Sequence, residues 1–164
     1  MHVSSRALPL PPEQVVIEPW QAAMKYVGTP FRHMGRSPNG LDCVGLLMLT
    51  ARDVGHEPID NPMYGREPSP DNSAFNLAAY CQMNCGEPVT RNLQPNDILL
   101  MRLRPENLPS HLALVAPYPA EGDGSGEDVG MIHTYGEIGR VVYHRIDHVR
   151  RSQIVGVYAW PAKH

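Results

Sequence analysis

The sequence predicts an α+β fold, with N-terminal helices packed on an antiparallel sheet of about five strands. Apolar residues recur at helical spacing in segments of the first half of the chain, while the second half carries short β-rich runs broken by turn residues. The length of 164 residues suits one domain with a proper core and is short for two. The expected division is an extended Pro- and Ser-containing arm over 1–14 and a single domain over 15–164.

Taken in order, 17–27 places Trp20, Ala23, Met24 and Val27 on one helical face, with Gly28 as the stop. An irregular loop over 29–40 holds Phe31, Arg32 and His33. Asp42 is an N-cap residue, and the apolar run behind it predicts a helix over 42–54 ended by Gly55. The stretch 56–73 has four prolines and no periodicity, so it reads as a long surface loop. A further helix is expected over 74–83, stopped by Gly86, Glu87 and Pro88. Five strands are then expected over 97–103, 111–116, 130–135, 139–145 and 154–160. The acidic, Gly-rich insert 117–128 reads as solvated loop.

Hydrophobic content of 42% with 19% charged residues describes an ordinary globular chain, and a net charge of −3 without a basic run disfavours tracking of nucleic acid. No apolar run is long enough to span a bilayer, and no signal peptide opens the sequence. Cys43, Cys81 and Cys85 do not make a disulfide framework. Cys81 and Cys85 face one way on a helix but lack further ligands for zinc, so both read as ordinary thiols. Neither a metal nor an organic cofactor is expected.

Cys43 stands out by its position. Turn chemistry ends at Gly40, Asp42 caps, and the cysteine falls in the first turn of the helix. Unpaired N–H groups and the helix dipole there favour negative charge, which predicts a lowered thiol pKa and alkylation below neutral pH. A cysteine nucleophile needs an imidazole base, and the base needs an orienting polar group. His111 opens one expected strand and His133 lies in the next. If the two strands are adjacent and antiparallel, alternation puts His111, Ala113 and Val115 on one face, with His133 and Met131 beside them. His144, on the following strand, is the best substitute for His133.

These residues resemble a known family. The run from Tyr26 to Gly35, the block Gly40-Leu41-Asp42-Cys43-Val44-Gly45-Leu46, the strand opened by Pro95-Asn96-Asp97, and the segments His111–Val115 and Met131–Thr134 are similar to the signature of NlpC-type cell-wall endopeptidases. Those are papain-like cysteine peptidases. The resemblance covers about residues 17–160 apart from an insert. It implies a papain-like fold, a nucleophile at Cys43, a base at His111 and an orienting residue at His133. Phe31, His33, Asp42 and Tyr135 fall where substrate contacts are expected. The implied substrate is a peptidoglycan stem peptide, cut between D-γ-glutamyl and diaminopimelate.

The chain departs from that pattern in carrying Phe31 where a tyrosine is common and Val44 where serine is common. Its details look most like the branch found in phage tail tips and gene-transfer particles, which implies tail-tip or hub proteins as partners and delivery to the cell wall by a virion. Two alternatives stay open: a structural tail component that keeps the fold without cutting, and a thiol amidase or acyltransferase acting on a small molecule.

Overall fold

The computed structural model describes residues 16–60, 77–105, 108–121 and 128–162. It is a mixed α and β architecture built on a five-stranded antiparallel sheet. Helix α1 (Pro19–Met24) opens with proline, whose missing N–H costs nothing at a helix start, and Gln21 Oε1 accepts the Glu18 N–H at 2.9 Å. It is shorter than the sequence suggests. Turns carry the chain on to Gly28, whose φ of +94° suits glycine.

The expected loop after it contains a small hairpin, β1 (Arg36–Ser37) with β2 (Gly40–Leu41). Helix α2 (Cys43–Asp53) follows directly, and Gly55 at φ +87° ends its course. Helix α3, described over Leu77–Cys85, stops at Gly86, with φ +80°. Of the expected surface loop and helix, 61–76 lies outside the described residues, as do the N-terminal arm and 122–127 of the insert.

All five expected strands form: β3 (Ile98–Met101), β4 (His111–Pro117), β5 (Val129–His133), β6 (Val142–Arg145) and β7 (Ile154–Tyr158). Their order across the sheet is β6-β5-β4-β3-β7, so β4 is central. A short helix, α4 (His148–Ser152), which the sequence reading did not anticipate, joins β6 to β7 and is capped by Asp147 accepting the Arg150 N–H at 2.8 Å. Entry to β3 is fixed by buried Asp97, whose carboxylate takes both Arg91 nitrogens at 2.8 and 2.9 Å.

Strand alternation divides the core. Ile98, Leu100, Leu112, Leu114 and Ile132 pack with Ala23 of α1, Leu47 and Met48 of α2 and Tyr80 of α3. On the opposite face Leu99, Met101, Ala113, Val115 and Met131 form a second cluster with Ile146. The helical layer therefore covers one face, and His111 belongs by alternation to the other.

Candidate active site

Asp42 holds the start of α2. Its carboxylate is buried and accepts the Gly45 N–H at 2.8 Å, the Met34 N–H at 2.8 Å and Arg36 Nη1 at 3.0 Å. Arg36 in turn pairs with Asp60. Cys43 is the first residue of the helix and half-buried.

Its thiol does not behave as the helix start alone predicts. Burial pushes the Cys43 pKa up to about 12, and the Asp42 carboxylate adds to the rise. The backbone amides of Leu112 and Val44, and the Arg36 charge, act the other way and lose. Desolvation of a thiolate thus outweighs the helix dipole, and Cys43 rests as a thiol.

Beyond it lies a line of imidazoles. His111 and His133 are both buried, with rings 5.0 Å apart and edge to face. His111 Nε2 is 2.8 Å from His133 Nδ1. On the far side, His133 Nε2 is 2.7 Å from His144 Nε2. His144 Nδ1 meets the Arg145 carbonyl oxygen at 2.8 Å. The register explains the line: β4 and β5 are antiparallel neighbours, and Met131 of β5 pairs with His144 of β6. Burial drives the pKa of His111 down to about 3, helped by the Arg150 charge. His133 falls to about 2, from burial first and then the charges of His111, His144 and Arg150. Both rings are neutral at rest.

Cys43 belongs to the helical layer, and His111 by alternation to the other face of the sheet. The backbone amide of Leu112, the residue after His111, is among the groups that favour the Cys43 thiolate. Among the described residues, no hydrogen bond joins the sulfur to the His111 ring.

The remaining expected residues distribute around this centre. The Tyr135 ring stands 5.5 Å from that of His111 and 5.8 Å from that of His133, and its hydroxyl accepts from Arg150 at 3.3 Å. Phe31 is half-buried beside the next residue, its Cε1 3.7 Å from where a side chain on Gly136 would begin. His33 is half-buried between Phe31 and the β1–β2 hairpin. Sequence reasoning gave His144 only as a substitute for His133, and it did not single out Arg36 or Arg150. The alternation of His144 with the β5 histidine was a usable signal for the first; the two arginines carried none.

A cavity of about 460 Å³ lies elsewhere, lined by Leu47, Met48, Tyr80, Cys81, Leu112 and Trp160 among others, and by none of Cys43, His111 or His133. The Cys81 and Cys85 thiols in its wall are raised by burial to about 12 and about 11. No protein-family model matches the chain. A search of curated proteins finds no match to it either.

Proposed function

We propose that the protein is a thiol hydrolase of the papain-like, NlpC type, cutting the stem peptides of peptidoglycan. The observation that carries the reading is the imidazole line, which occupies Nε2 of His111 and leaves Nδ1 as the nitrogen open to a thiol proton. The place of Cys43 at the head of α2, directly behind the Asp42 cap, supports it.

In this reading His111 Nδ1 takes the Cys43 proton as the sulfur attacks the stem-peptide carbonyl carbon, giving a tetrahedral oxyanion. The Cys43 N–H, in a first turn whose amides have no helical acceptor, donates to that oxygen, worth roughly 3 kcal/mol if well aligned. Collapse breaks the C–N bond, and the His111 proton leaves on the amine. Water then attacks the thioester while His111 accepts its proton. The carboxylate departs, and the sulfur recovers its hydrogen. His133 holds the plane of the His111 ring and disperses the charge of the transient imidazolium. Because thiol and imidazole are both neutral at rest, His111 works as a general base and not as half of a stored ion pair.

Digesting purified peptidoglycan and weighing the released fragments tests the reading. Fragments ending at D-γ-glutamate and beginning at diaminopimelate are expected, and an undigested wall contradicts it. A second reading has its own support. The raised Cys43 thiol and the missing bond to His111 are what a tail component that binds the wall without cutting would display. That reading predicts retention on peptidoglycan with no release of fragments.

A further inference from the structure

We propose that His144 is a positioning residue that sets the tautomers of His133 and His111, so that His111 keeps an unprotonated Nδ1. The outer end of the line is fixed first. A carbonyl oxygen only accepts, so the contact at 2.8 Å requires the hydrogen on His144 Nδ1. A neutral ring then has a lone pair on Nε2. The 2.7 Å contact to His133 Nε2 needs one hydrogen, and His133 must supply it. That leaves His133 Nδ1 as an acceptor for the hydrogen on His111 Nε2, across 2.8 Å.

Each ring therefore dictates the next, and the choice ends with a bare nitrogen on the innermost histidine. With His144 neutral, the opposite polarity would set a lone pair of its ring against the Arg145 oxygen and put the hydrogen on His111 Nδ1, where it could not take a proton. A mixed arrangement would bring two N–H groups or two lone pairs together at 2.7 or 2.8 Å within a buried line. The Arg145 carbonyl, a backbone group without any freedom to change role, is what breaks the symmetry.

The inference deepens the hydrolase reading and depends on it only for the activity arm of the test. Heteronuclear NMR of the imidazole nitrogens, at about pH 8 where ordinary imidazoles are neutral, reads each tautomer directly. Hydrogens on Nε2 of His111, Nε2 of His133 and Nδ1 of His144 are expected in the unaltered protein. In His144→Phe the two inner rings should lose their fixed tautomers, while His144→Gln, whose carbonyl oxygen can accept from His133, should restore them. With a stem-peptide substrate, kcat should drop about 10- to 100-fold in His144→Phe, with little change in KM and recovery in His144→Gln.

A hydrogen on His111 Nδ1 in the unaltered protein overturns the inference, as do inner tautomers unmoved in His144→Phe. The expected tautomers in a protein that cuts no stem peptide would uphold the inference and reject the hydrolase reading.

Discussion

A thiol and an imidazole can share their proton in two ways, and burial decides between them here. Water stabilises the thiolate–imidazolium pair strongly, and it is withdrawn from the buried His111 and in part from the half-buried Cys43. Cys43 is pushed up to about 12 and His111 down to about 3, so each side separately prefers the neutral form. Alkylation of the resting protein with iodoacetamide should therefore show no fast Cys43 phase below about pH 8.5. A plateau of rapid modification near pH 6 would mean a stored ion pair and contradict the neutral resting state. Replacing His133 tests the next residue outward. His133→Ala leaves the buried His111 Nε2–H without its acceptor and cuts the link to His144. Turnover should fall about 10- to 100-fold, less than on loss of the nucleophile. Steady-state kinetics on a stem peptide measure the difference. The positions of Cys43, His111 and His133 were readable in the sequence because helix caps and strand alternation leave periodic marks. The state of the thiol was not readable, since it depends on which atoms from the sheet crowd the helix start.

At the scale of elements, α2 and the five large strands followed from local signals: Asp42 as a cap, Gly55 as a stop, and β-rich runs bounded by turns. The β1–β2 hairpin and α4 did not. Each is too short to show a period and is held by tertiary contacts, among them the Phe31–Leu41 bridge and the bond from Arg150 to the Tyr135 hydroxyl. Gly45 shows the same dependence on tertiary context. A helix interior ordinarily favours alanine over glycine by about 1 kcal/mol. Here a Cβ on Gly45 would stand 1.9 Å from the Gly35 carbonyl oxygen, a backbone atom of the loop before β1. Gly45→Ala should therefore destabilise the fold by about 1–3 kcal/mol, against its propensity. Urea unfolding measures it, and a stabilised variant would show that the loop yields freely. Removing the cap should act in the same direction. Asp42→Ala frees the Gly45 and Met34 amides and leaves Arg36 with Asp60 alone of its two carboxylates, at a cost of about 1–2 kcal/mol.

Across the whole molecule, the buried histidines and thiols set how stability varies with pH. His111 and His133 have folded pKa values of about 3 and about 2, below the ordinary value of 6.5. Between those limits the unfolded chain binds more protons than the fold. The contribution of these rings is thus fully present above about pH 6.5 and is lost as pH falls toward the folded values. The slope can reach about 1.4 kcal/mol per pH unit for each ring. The thiols act at the other end: Cys43, Cys81 and Cys85 ionise in the unfolded chain before they do in the fold, so stability declines again above about pH 9. Thermal melts should peak near neutrality and drop several degrees between about pH 7 and pH 5. A flat acid limb would mean that the imidazole line is hydrated.

The most direct measurement is the rate of stem-peptide hydrolysis by Cys43→Ala, with circular dichroism confirming an unchanged fold. A loss of at least about four orders of magnitude is expected, since the remaining thiols, Cys81 and Cys85, line a cavity apart from the imidazole line. Hydrolysis continuing at the rate of the unaltered protein would contradict it.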